Sequence, residues 1–238
     1  MAEAPKLWKV ADPAPGAEAL AERTGLPLQV AGLLLRRGVE DIDRFLEPRL
    51  DQLTDPFLLP DMDKAVARIW SAIDAGERIL VFGDYDVDGL TSTCFLSRVL
   101  ERLGGKVDRF IPNRLDDGYG LSVEAITLCL ERFDPALIVT VDCGTGSAEA
   151  VAHAAAAGVD VVVTDHHEAS GGVVAPALAV VNPKLGPEGD LQLLAGVGVA
   201  FKLCHALLKA GRQQDRPTSH STDMRPLMYL VALGTVAD

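Results

Sequence analysis

Residues 79–89 read ILVFGDYDVDG, a short apolar run that stops at a glycine and is followed by Asp84, Asp86 and Asp88 at every second position. A brief, continuous apolar run bounded by a turn signal fits a strand buried on both faces. The same grammar recurs downstream. LIVTV at 137–141 runs into DCGTG, and VDVVVT at 159–164 runs into DHH at 165–167. Between these runs, LTSTCFLSRVLERLGG, SVEAITLCLERF and SAEAVAHAAAAG have helical length and periodicity, with Gly or Pro after them and Ser122 and Ser147 at N-cap positions. Short apolar runs alternating with longer helical patterns spell βαβ units around a parallel sheet.

Working outward, the strands expected are Ile79–Phe82, Val107–Ile111, Leu137–Val141, Val159–Thr164 and Leu178–Val181. Two further helices follow at about Ala195–Ala210 and Met224–Ala237, with the polar loop RQQDRPTSHSTD between them. The fold class expected is α/β, an open, mostly parallel sheet flanked by helices. Upstream, AEALAERTG and VAGLLLRRG are helical patterns that each end on a glycine suited to a C′ position. A linker is expected at TDPFLLPDMD, residues 54–63, and a helix from Met62 to Ala75. The organisation expected is therefore a small helical region and linker over residues 1–60, then one α/β domain over 61–238.

All carboxyl ends of a parallel sheet lie along one edge, and ligands bind in the crevice outside that edge. Asp84, Asp86, Asp88, Asp142, Asp165, His166 and His167 should therefore converge despite their separation in sequence. Two carboxylates about 4 Å apart repel by roughly 4 kcal/mol at an effective dielectric near 20, so such a cluster calls for cations. Carboxylate mixed with imidazole suits Mn²⁺, Zn²⁺ or Fe²⁺ better than Ca²⁺, and a shared carboxylate can bridge two ions about 3.5–4 Å apart. Such a pair lowers the pKa of a bound water and clamps a phosphoryl group for in-line attack. Blander readings exist for each piece. The acidic turn alone could be a solvated strand-to-helix connection, and the Asp of DCG alone could be a helix cap. A calcium loop fits Asp84, Asp86, Asp88 and Gly89 but fails where Phe95 stands in place of the required glutamate. His153, His205 and His220 are isolated and read as surface or core residues.

Composition narrows the setting. With 238 residues the chain can bury roughly 70–75% of its unfolded surface and needs no structural staples. Cys94, Cys129, Cys143 and Cys204 form no CxxC pair, which argues against a zinc site or a disulfide framework. No run approaches the roughly 18 consecutive apolar residues of a membrane span, and MAEAPKLWKVADPAPG lacks an apolar signal core, so a soluble cytoplasmic protein is expected. The net charge of −12 runs against the basic surfaces of nucleic-acid enzymes and keeps small-molecule substrates open. Many of those acids, however, lie in motifs where metal ions would neutralise them.

The ordered set of motifs resembles the DHH phosphoesterase superfamily. VFGDYDVDGLTST is similar to its first motif, VTVDCGTG to the second, VVVTDHHE to the third and VALGTVAD to the fourth. PNRLDDGYGLS, VVNPK, LAGVGVAFKL and FLEPRLDQLTDPFLLPDMDKAVARI resemble its RecJ branch in particular, so the resemblance covers about Gly38 to Asp238. It implies that Asp86, Asp88, Asp142, His166 and Asp238 ligate metal, with Asp142 bridging two ions. Asp84 would ligate or orient a metal water, Asp165 would hold His166 by a hydrogen bond, and His167 would touch the scissile phosphate. Mn²⁺ or Mg²⁺ dependence is implied, as is stepwise 5′-to-3′ degradation of single-stranded DNA in repair and recombination. The partners implied are single-stranded DNA and a single-strand-binding protein or helicase, with no membrane. RecJ-like enzymes continue past the fourth motif into a DHH-associated domain and an oligonucleotide-binding fold, so the chain reads as their catalytic portion.

Three rivals stand beside this reading. Strand 79–82 followed by Asp84-Tyr85-Asp86-Val87 matches a haloacid-dehalogenase-type phosphatase, but that chemistry needs a lysine after a later strand, where Asp165-His166-His167 stands. A DHH activity on pyrophosphate or small nucleotides would suit the acidic charge. A non-catalytic module of a repair complex would not need an intact set of acids.

Overall fold

The computed structural model describes residues 12, 14–112, 120–169 and 172–238. The chain divides into two compact units, Met1–Thr54 and Asp55–Asp238. In the first, α1 (Ala17–Thr24) ends at Gly25, α2 (Leu28–Arg36) is followed by Gly38, and α3 (Ile42–Leu46) is capped by the Asp41 carboxylate. Both glycines take the left-handed backbone expected of a helix terminator. Leu20, Ala31, Leu34 and Ile42 bury together as a small core of this unit.

The second unit carries α4 (Met62–Ala75), β1 (Arg78–Gly83), α5 (Val87–Arg102), β2 (Lys106–Phe110), α6 (Val123–Phe133), β3 (Leu137–Val141), α7 (Ala148–Ala156), β4 (Asp160–Thr164), β5 (Ala179–Val181), α8 (Gly196–Gln213), α9 (Pro217–Ser221) and α10 (Met228–Ala237). All five strands pair in parallel in the order β2-β1-β3-β4-β5. Alternate strand residues feed two cores. Ile79, Val81, Leu137, Val139 and Val162 face α4, α5 and α8 on one side. Leu80, Phe82, Ile138, Val161 and Val163 face α6 and α7 on the other. Both faces are covered, which is why the strands read as continuous apolar runs.

Each expected strand is present, with ends displaced by at most a residue. Helix α4 has the expected bounds and stops at Gly76 in the left-handed conformation. Other expectations need correction. Helix α5 begins at Val87, so Asp86 is its N-cap and Asp88 lies in its first turn. Ser122 caps α6 through its hydroxyl, whereas Ser147 at the start of α7 makes no side-chain cap bond. The polar loop after α8 contains α9, started by Pro217, whose fixed φ suits a first helical position. Part of the expected linker is tied down: Pro56–Leu58 form a 3-10 turn, Leu59 is buried, and Asp55 pairs with Lys209 at 2.7 Å. Most of the PNRLDDGYGLS stretch, residues 113–119, lies outside the described residues.

Candidate metal centre

The strand register sets the site. Gly83 pairs with Val141, Val141 with Thr164, and Thr164 with Val181. One step further along each strand stand Asp84, Asp142, Asp165 and Asn182, a single row across the carboxyl edge, all buried. Between β1 and β3 the connections diverge, the chain after β1 rising to α5 on one face and that after β3 to α7 on the other. That divergence is the topological switch point where open α/β sheets bind ligands.

Asp142 occupies the middle of the row. Its backbone is left-handed at φ 61°, a conformation aspartate tolerates better than most residues, and Thr140 closes the turn by donating its hydroxyl to the Cys143 carbonyl at 2.8 Å. The carboxylate is 2% exposed, and its Oδ1 makes no hydrogen bond. His166 Nε2 lies 3.1 Å from that oxygen but off the line a hydrogen bond needs. Burial, reinforced by the charges of Asp88 and Asp86, pushes the Asp142 carboxyl up to about 7. His166 is raised by the facing Asp142.

Asp88 joins from α5. Burial raises its pKa, although Oδ2 accepts from the amide of Gly196 at 2.5 Å and Oδ1 from that of Val197 at 2.8 Å. These are the first amides of α8, so the positive end of that helix faces the carboxylate. Asp238, at the end of α10, lies 3.9 Å from His166 Nδ1. Among the described residues, ligand atoms of Asp88, His166 and Asp238 lie within 4.8 Å of one another, as do those of Asp142, His166 and His167. His166 belongs to both groups.

Asp86 and Asp84 stand outside these two groups. The Asp86 carboxylate accepts from the Gly89 amide at 2.9 Å as the cap of α5, yet it lies close enough for its charge to raise Asp142. Asp84 accepts from the Tyr85 amide at 2.7 Å, and burial raises its pKa. It lines a cavity of about 350 Å³ together with Asp142, Gly144, Ser147, His167 and Glu168.

The expectation for Asp165 is corrected. Its Oδ1 meets Nδ1 of His167, not the His166 ring, at 2.7 Å, and accepts from the backbone amide of His166 at 2.8 Å. The same oxygen accepts from the His167 amide at 3.2 Å, a local turn that brings His167 back to Asp165 while His166 Nε2 lies 3.1 Å from Asp142. The Thr145 amide donates to Asp165 Oδ2 at 2.9 Å. Burial alone would raise the Asp165 carboxyl, but the bonds from His167 and Thr145 outweigh it and hold it below the usual range. The same bond from Asp165 raises His167 to about 9.

Sequence reasoning missed Asn182, which donates to Thr145 Oγ1 at 2.8 Å and to the His167 carbonyl at 2.9 Å and so fixes the turn. Its signal was available: it follows β5 as the aspartates follow β1, β3 and β4. The backbone amides of Gly196 and Val197 left no such trace. A buried, unpartnered carboxylate oxygen facing imidazole and two more carboxylates is the donor chemistry of a divalent-cation site. The residues present fit such a group.

Comparison with known proteins agrees. The model of the DHH family, N-terminal domain, matches residues 78–235. The single-stranded-DNA-specific exonuclease RecJ of Bacillus subtilis is 39% identical over 93% of this chain, which spans 27% of that protein; its Escherichia coli counterpart is 40% identical over 91%, spanning 39%. The chain thus spans well under half the length of these curated relatives. The crystal structure of RecJ in complex with Mn²⁺ from Thermus thermophilus superposes with a TM-score of 0.72 at 33% identity, over 93% of this chain and 30% of that one. A chain with four family motifs in order, and their acids gathered at one sheet edge, belongs to the DHH family.

Proposed function

We propose that the chain is the catalytic portion of a two-metal phosphodiesterase that degrades single-stranded DNA from the 5′ end. The observation that carries this reading is the buried Asp142 carboxylate at the switch point, unpartnered at Oδ1 and faced by His166 Nε2, with Asp88 3.8 Å from the same nitrogen and Asp238 3.9 Å from Nδ1 of that ring. Asp86, Asp88, Asp142, His166 and Asp238 would hold two Mn²⁺ or Mg²⁺ ions, Asp142 between them. Bound there, the ions would supply a nucleophilic water at neutral pH and charge stabilisation for the phosphoryl group.

The chain's own residues do the rest. Asp165, anchored by Thr145, fixes the His167 ring at the cavity wall through Nδ1, which leaves Nε2, without a hydrogen bond among the described residues, to meet a phosphate oxygen. Asp84, on the same wall, orients water. Relatives at 39–40% identity named as single-stranded-DNA-specific exonucleases support the substrate class. Action in DNA repair and recombination, in the cytoplasm and beside a single-strand-binding protein or helicase, extends that likeness. Among the described residues no helix is long and apolar enough to cross a membrane.

The acidic balance, net charge −12, favours a second reading in which a pyrophosphate or short nucleotide is the substrate. The test is hydrolysis of a 5′-phosphorylated single strand, a duplex, a dinucleotide and pyrophosphate at matched salt with Mn²⁺. Release of mononucleotides from the single strand, abolished by EDTA, supports the first reading. Turnover of the small substrates alone would replace it with the second.

A further inference from the structure

Helix α10 reaches the centre by an unusually close approach. A Cβ built on Gly234 would stand 2.5 Å from Thr91 Oγ1, 2.7 Å from Val197 Cγ1 and 2.9 Å from Asp88 Oδ1. The two oxygens among these atoms are held by hydrogen bonds. The Thr91 hydroxyl is held by the Val87 and Asp88 carbonyls at 2.8 and 3.1 Å. Asp88 Oδ1 accepts from the Val197 amide, so side chain and backbone are locked together at the start of α8. Gly234 is itself buried, and its carbonyl accepts from the Asp238 amide at 3.0 Å.

We propose that Gly234 is a positioning residue for Asp238: by packing without a side chain against Thr91, Val197 and Asp88, it sets the depth at which α10 presents that carboxylate to His166 and Asp88. This rests on the metal-centre reading above and adds to it the element that sets the distance between the α5 and α10 ligands. A methyl at 234 must move from 2.5 Å to at least the 3.4 Å of an ordinary contact, a retreat of about 0.9 Å. Metal–ligand distances tolerate about 0.2 Å, so a retreat of that size costs the centre a ligand. Alanine is otherwise the better helix former, so on an unconstrained helix the same change would be harmless.

The test is calorimetric titration of the metal-free 238-residue chain with MnCl₂, for wild type, Gly234→Ala, Asp238→Ala and the double variant. Gly234→Ala is expected to weaken Mn²⁺ binding tenfold or more, and to add nothing once Asp238→Ala is present. A merely structural glycine would give independent, multiplying effects, and that outcome overturns the proposal. So does a Gly234→Ala affinity within twofold of wild type. If Gly234→Ala does not fold, Val197→Ile pushes a methyl into the same gap from α8. It should weaken binding likewise, again only while Asp238 is present, and an unchanged affinity refutes the inference. Failure of the wild type to bind Mn²⁺ at all would sink the metal-centre reading and this inference with it, an outcome distinct from wild-type binding that Gly234→Ala leaves intact.

Discussion

Replacing Asp142 by asparagine should stabilise the metal-free protein and destabilise the metal-loaded one. Asparagine matches aspartate in shape and tolerates the left-handed backbone at φ 61°, so the change isolates charge. The Asp142 carboxyl has been pushed from 3.8 to about 7 by burial and acidic neighbours. A folded-state pKa above the unfolded one means the contribution is present at low pH and lost as pH rises through about 7. At pH 8 the wild type therefore carries a buried charge that Asp142→Asn does not. At about 1.36 kcal/mol per pH unit the ceiling is about 4 kcal/mol. Coupling of its titration to that of His166 brings the expected gain to about 1–2 kcal/mol. For a unit of this size each kcal/mol moves the melting temperature by about 2–4 °C. Mn²⁺ at 100 times its dissociation constant should then add about 2.7 kcal/mol to the wild type and little to the variant. Thermal melts at pH 8 with EDTA and with Mn²⁺ should show the order of the two proteins inverting. A variant that melts below wild type in EDTA, or gains as much from Mn²⁺, would refute the reasoning.

Further outcomes follow from the same geometry. Because a cation must displace the proton on the Asp142 carboxyl, Mn²⁺ affinity should rise by up to about tenfold per pH unit as pH climbs to about 7; calorimetry showing no slope below about pH 7 would contradict this. Asp165→Asn should lower stability by about 1–3 kcal/mol, since it weakens the bonds from Thr145 and His167 around a buried group, whereas His167→Ala should cost much less in a urea melt. Both should cut hydrolysis, by roughly 10–100-fold for Asp165→Asn through loss of ring orientation; equal stability losses would assign Asp165 no anchoring role.

The sheet was legible because both its faces are covered: runs such as Leu137–Val141 are apolar throughout, and the acid after each run marks the edge. The row Asp84, Asp142, Asp165 is thus written in the sequence once the strands are parallel. Less visible were features that depend on backbone rather than side-chain type. Glycines 196 and 234 sit inside ordinary helical patterns, and nothing local announces that one abuts Asp142 and the other Asp88. The amides that hold Asp88 come from more than a hundred residues away. The partner of Asp165 could have been found, because an aspartate after a strand commonly bonds the backbone two residues on, and that turn brings His167 to its side. Helix α9 was missed because PTSHS is polar and too short for periodicity, its only signal being Pro217.

Acids from separate strand ends are proposed to hold two cations bridged through Asp142. Titration of the metal-free chain with Mn²⁺, followed by electron paramagnetic resonance, tests this arrangement most directly. Two ions per chain are expected and, on filling, the spectrum of an exchange-coupled pair about 3.5–4 Å apart. Uptake of a single ion, or of two with uncoupled spectra, would contradict it.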